Sequence, residues 1–262
     1  KNLSDEWSNL SQFDNQKAVN LIQEKKIDIL FDVMGFTNPN RLEIFNSRVA
    51  PIQISWLAYC NTIGFENIDY MMIDKNLIME DEEKFYLEKI IRLPKVWNSH
   101  AGFNLKRKYN KLPSEKNEIF TFGSFNNFRK ISPETVDTWS SILQSVSNSR
   151  LILKSSTFCD ANSLLNKFKK YGIENKVTIL DKVNFNKKKD HLELYNKVDL
   201  ALDTFPYNGV TTTFEALWMN VPVMVLEGNN FNSRCGESII KNTNIDYLIA
   251  SNTKEYIQKV IF

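Results

Sequence analysis

From Ile27 onward, apolar runs of strand length alternate with stretches in which apolar residues recur at helical spacing. In the first half, a helix is expected over Asn15 to Lys25, a strand over Ile27 to Met34, a short helix near Leu42 to Asn46 and a strand over Ile52 to Ala58. Two further strands, Asp69 to Ile73 and Lys89 to Leu93, flank an acidic helix expected over Glu80 to Leu87. A polar stretch from Asn98 to Asn117, containing Pro113, shows no periodicity and is expected to be a linker. The alternation then repeats. Strands are expected at Ile119 to Phe125, Arg150 to Lys154, Val177 to Asp181, Leu200 to Phe205, Val223 to Leu226 and Tyr247 to Ala250. Helices are expected between them near Pro133 to Val146, Asn162 to Tyr171, Lys188 to Val198, Thr212 to Met219 and Arg234 to Lys241, with another beginning near Thr253. Ser132 followed by Pro133 marks one helix start, a serine cap with proline at the first helical position. Strands alternating with helices in this way predict an α/β chain whose second half is a doubly wound parallel sheet. The expected domains are 1–105, an incomplete Rossmann-like unit, and 106–262, a second Rossmann-like unit cut short at its carboxyl end.

Composition narrows the classes. With 262 residues and 42% apolar content, the chain can bury a sizeable core. A net charge of +2 with scattered lysines makes no case for nucleic acid or an anionic membrane surface. Cys60, Cys159 and Cys235 are far apart and odd in number, which points to free thiols in a reducing compartment, so a cytoplasmic location is expected. No apolar run approaches the length of a membrane span. The chain opens at Lys1 without a methionine and is expected to be a fragment.

The most informative segment is Asp203 to Trp218, where a strand, a break at Pro206 to Gly209 and three threonines precede an amphipathic helix. The first backbone N–H groups of a helix lack internal partners, and with threonine hydroxyls and the positive end of the helix dipole they favour an anion such as a diphosphate. Glu215 lies one turn beyond Thr211, where a carboxylate accepts hydrogen bonds from the vicinal hydroxyls of a ribose. The competing reading makes the threonines a helix cap and Glu215 a solvated residue.

Ligands of open parallel sheets bind beyond the carboxyl ends of the strands. Four polar clusters fall on that edge: Ser124 to Lys130, the approach to Lys188 and His191, Asn208 and Gly209 through Glu215, and Gly228 to Arg234. Lys130 suits a developing diphosphate charge. Two readings stay open for His191, a crevice residue or a buried structural histidine, and two for Arg234, a phosphate ligand or a brace for its own helix. Neither histidine has a partner at metal-ligand spacing and there is no Asp-x-Asp pair, so no metal and no cofactor is expected. The chain also lacks Gly-x-Gly-x-x-Gly, Walker and Gly-x-Ser-x-Gly motifs, which argues against dinucleotide oxidoreductases, ATPases and serine hydrolases.

Ile27 to Thr37, Arg48 to Leu57, Asp69-Tyr70, Phe125 to Pro133 and Asp203 to Trp218, taken in order, resemble the catalytic region of glycosyltransferase family 41, the protein O-GlcNAc transferases and SPINDLY-type enzymes. The resemblance implies a B-type glycosyltransferase fold and metal-independent, inverting transfer of a sugar, most often GlcNAc from UDP-GlcNAc, to Ser or Thr of a protein or peptide. It implies that Lys130 contacts the diphosphate, Asn127 lines the donor site, Lys188 and His191 hold the uridine end, Thr211 and Thr212 bind phosphate, and Glu215 binds ribose. Thr37, Leu57 and Ala58 would lie near the sugar. Tetratricopeptide repeats upstream would present the acceptor. The family's Gly-Tyr-Pro-Gly-Thr loop stands here as Ala58-Tyr-Cys-Asn-Thr62, and Val210 replaces a histidine of animal enzymes or a threonine of SPINDLY-type ones. Two alternatives therefore accompany this expectation: a GDP-fucose-using fucosyltransferase and a non-catalytic nucleotide-sugar-binding module.

Overall fold

A computed structural model describes residues 4–103, 105, 111–154, 161–180 and 188–262, the last without the side chains of 188 and 189. The chain divides into two compact units, Lys1–Ser99 and His100–Phe262.

In the first unit, strands β1 (Ile29–Asp32), β2 (Ile52–Trp56), β3 (Tyr70–Asp74) and β4 (Lys89–Leu93) form a parallel sheet in sequence order. Helix α1 (Asn15–Glu24) starts where the Asp14 carboxylate accepts the Lys17 N–H at 2.7 Å. It packs with α2 (Leu42–Asn46) around Ala18, Val19, Ile44, Phe45 and Ile68. The expected acidic helix is a 3₁₀ segment, Glu80–Phe85, in which four consecutive carboxylates crowd one turn.

The second unit is a six-stranded parallel sheet. Its strands β5 (Phe120–Ser124), β6 (Ser149–Lys154), β7 (Val177–Leu180), β8 (Leu200–Leu202), β9 (Val223–Leu226) and β10 (Ile249–Ala250) run in the spatial order β10-β9-β8-β5-β6-β7. The order reverses between β5 and β8, so their carboxyl ends flank the switch point at which a crevice opens in a doubly wound sheet. Alternation along the strands feeds both faces. Leu151 and Leu153 enter one core with Phe122, Trp139, Phe168 and Tyr256, while Ile152 faces the other with Tyr195, Ala201, Val223 and Val225.

The stretch expected to be a linker contains a short helix, α3 (Pro113–Asn117), whose Ser114 N–H and hydroxyl both donate to Asp199 at the start of β8. Helices α4 (Pro133–Ser145) and α5 (Ala161–Lys169) follow β5 and β6. The helix expected over Lys188 to Val198 is α6 (Lys188–Glu193), tightening into a 3₁₀ segment, Leu194–Lys197, before β8. Strand β8 ends at Leu202 rather than Phe205, because the Asp203 carboxylate takes the Thr204 and Gly209 N–H groups away from any ladder. Helices α7 (Thr211–Trp218), α8 (Phe231–Lys241) and α9 (Thr253–Ile261) complete the unit. Among the described residues no helix is long and apolar enough to cross a membrane.

Candidate functional site

The loops after β5 and β8 are tied to one another at the switch point. Asp203 is buried, and its Oδ1 accepts from Thr204 N at 2.9 Å, Gly209 N at 2.7 Å and Asn126 Nδ2 at 3.1 Å. Asn126 in turn accepts the Thr212 hydroxyl at 2.8 Å, so one amide joins the end of β5 to the first turn of α7. Burial raises the Asp203 pKa to about 6, against the opposing pull of the Gly209 N–H and the Lys130 charge. Lys130 donates to the Asn208 carbonyl at 2.7 Å and lies 4.1 Å from the centre of the Tyr207 ring. Asn127 accepts the Arg129 N–H at 3.0 Å and caps the turn that delivers Lys130.

Helix α7 begins without a side-chain cap, Val210 occupying that position. Thr211 is exposed, Thr212 half-buried, and the buried Thr213 hydroxyl bonds back to the Gly209 carbonyl at 3.1 Å. A helix start without a side-chain cap is a position that favours an anion. Gly209 is required by packing: a Cβ there would collide with the Thr212 hydroxyl and fall 2.8 Å from Asn126 Oδ1.

One turn along α7, the Glu215 side chain is buried rather than solvated. Its Oε2 lies 2.9 Å from His191 Nε2 and 3.4 Å from the Tyr195 hydroxyl, and His191 Nδ1 lies 2.7 Å from Lys154 Nζ. Tyr195 also donates to the Thr212 carbonyl at 3.2 Å, linking this group to the first turn of the helix. Burial lowers the Lys154 pKa and the Glu215 charge opposes that shift. It raises the Tyr195 hydroxyl well above its ordinary value, with Glu215 adding to the effect.

Lys130, Asn127, Asn208, Gly209, Thr211, Thr212, Glu215 and His191 thus gather around α7 and the loop before it. Asn208 is fully buried and acts within the loop, its amide donating to the Thr204 carbonyl and accepting from Gly236 N. Arg234 is buried on α8 and donates to the Gly228 carbonyl at 2.9 Å, bracing the loop that precedes its helix. The Lys188 side chain lies outside the described residues. Asn126, Lys154 and Tyr195 join this cluster through partners distant in the chain, so sequence patterning does not single them out, whereas Asp203 marks the start of its segment without showing its role in the loop.

In the first unit, Thr37 follows β1, and Leu57 and Ala58 follow the adjacent β2. Thr37 and Ala58 are exposed. Leu57 holds φ at 88°, a strained value for a leucine that recurs at functional positions. The two loops are interlocked: Gly35, at φ 53°, leaves no room for a Cβ against Tyr59, and Phe36 packs edge-on to Tyr59 at 5.4 Å. Among the described residues no three His, Cys, Asp or Glu side chains gather as a metal site.

The description of glycosyltransferase family 41 matches residues 1–101 and 99–261. The chain belongs to glycosyltransferase family 41. It is 35% identical over 257 residues to the probable UDP-N-acetylglucosamine–peptide N-acetylglucosaminyltransferase SPINDLY of Arabidopsis thaliana, and 30% identical over 274 residues to the SEC protein of the same plant. These alignments cover 96% and 98% of this chain but 28% and 27% of the relatives. Among solved structures it resembles a mutant of the Thermobaculum terrenum O-GlcNAc transferase, with a TM-score of 0.89 and 31% identity over 99% of this chain and 49% of that one. Anabaena HepE, solved with UDP and glucose, shares the fold alone, with a TM-score of 0.52 and 15% identity over 98% of this chain and 77% of that one. The two parallel α/β units of this family 41 chain are accordingly those of a B-type glycosyltransferase.

Proposed function

We propose that this family 41 region binds a nucleotide sugar and transfers its sugar, GlcNAc from UDP-GlcNAc, to a Ser or Thr hydroxyl of a protein. The observation that carries the proposal is the uncapped start of α7 next to Lys130, both held to the Asn208–Gly209 loop. In this reading the diphosphate lies against the first turn of α7, Thr211 and Thr212, and Lys130. Glu215 accepts from the ribose hydroxyls, and His191 lies at the nucleoside end. Asn127 serves the sugar side.

The acceptor oxygen bonds to the anomeric carbon as the bond from that carbon to the phosphate oxygen breaks, with inversion, and the electron pair leaves with the diphosphate. The acceptor proton passes to a general base or to the departing phosphate. Lys130 and the helix start stabilise charge as it develops on the leaving group, so no metal is needed for that task. Lys130→Ala is expected to lower transfer from UDP-GlcNAc to a peptide on the order of a hundredfold with the melting temperature kept, and EDTA is expected to leave the parent rate unchanged. Undiminished transfer by the variant, or loss of the parent rate in EDTA, would count against the mechanism. Replacing UDP-GlcNAc by GDP-fucose in the same assay tests the alternative donor.

A further inference from the structure

Lys154, at the carboxyl end of β6, is 4% exposed and reaches no solvent-facing role. A buried ammonium needs acceptors, and the His191 ring nitrogen at 2.7 Å is one. An ammonium has only donors, so Nδ1 must offer its lone pair. The ring proton then sits on Nε2, from which it is donated to Glu215 Oε2 at 2.9 Å, and a carboxylate can only accept it. The three groups are mutually consistent as cation, neutral ring and anion. A proton added at Nδ1 would place two cations at hydrogen-bond distance without an acceptor between them. Among the described residues, the other groups facing the ring are Tyr195, which shares Glu215 Oε2, and the apolar ring of Phe125.

We propose that Lys154 is a positioning residue for nucleoside binding: its donation to Nδ1 holds His191 in the Nε2–H tautomer, and that proton aims the Glu215 carboxylate at the ligand. The chain crosses three elements, β6, α6 and α7, so it sets the spacing between the two groups assigned to the nucleoside. Oε1 of Glu215 takes no part in these bonds and is the atom left to meet a ribose hydroxyl, an assignment that rests on the nucleotide-sugar reading above.

The test combines nitrogen-15 NMR of His191, assigned by its loss in His191→Gln, with UDP and GDP titrations of the intact protein. At about pH 7, Nδ1 of the parent should show the shift of an unprotonated, hydrogen-bond-accepting nitrogen. In Lys154→Met that signal should move toward the protonated range, and UDP affinity should fall on the order of tenfold, the effect of one lost charge-assisted hydrogen bond. Lys154→Arg supplies a donor again and should restore both. A protonated Nδ1 in the parent would overturn the proposal whatever the variants do. So would a Lys154→Met protein with unchanged signal and affinity, or equal loss of affinity in both variants with the ring signal unmoved. Lys130→Ala should weaken UDP while leaving the His191 signal alone. A parent that binds neither nucleotide refutes the nucleotide-sugar reading, whereas the tautomer measurement still judges Lys154.

Discussion

Asp203 is a buried carboxyl with three donors on one oxygen and none on the other, Oδ2 having no partner among the described residues. Its native pKa of about 6 stands above the ordinary carboxylate value of 3.8. The folded state therefore holds this proton more tightly than the unfolded chain, and the resulting stability is complete below the unfolded pKa and lost as pH rises through about 6. Denaturant unfolding between about pH 4 and pH 7 should show this decline, on the order of 2 kcal/mol, and Asp203→Asn should flatten it. A slope unchanged by the substitution would show that another group is responsible. The nearby Lys130 charge favours the ionised form. A diphosphate that draws Lys130 away would thus also act on Asp203.

At the scale of elements, the start of α7 is built by the glycine before it and the amide beside it. Gly209→Ala would press a methyl onto the Thr212 hydroxyl and Asn126, displacing the turn that presents the helix start. A loss of about 1–3 kcal/mol in unfolding free energy, with weaker UDP binding, is the expected outcome; equal stability and affinity would show that the turn tolerates a side chain. The strands and helices of this unit are legible in the sequence because both sheet faces are buried, which writes long apolar runs between helical patterns. The end of β8 is not legible, since it depends on Asp203 capturing N–H groups up to Gly209. Helix α3 hides in a polar stretch because its anchor is Asp199, far along the chain. The same limit applies to the site. The helix start and Glu215 are visible as a local pattern, whereas Lys154 looks like the last residue of a strand until His191 is brought against it.

For the molecule as a whole, the donor-side proposal resides in one unit, where the sheet order reverses between β5 and β8 and the polar loops of both strands are cross-linked by Asn126. The chain spans less than a third of the length of these relatives. Under the proposed function, binding of a nucleoside diphosphate depends on this unit's strand-end loops. Calorimetric titration of UDP into the parent protein and Lys130→Ala tests that claim most directly. Saturable one-site binding by the parent, weakened by about ten- to a hundredfold in a variant of unchanged melting temperature, is the predicted result. Equal UDP affinity in the two proteins would contradict it.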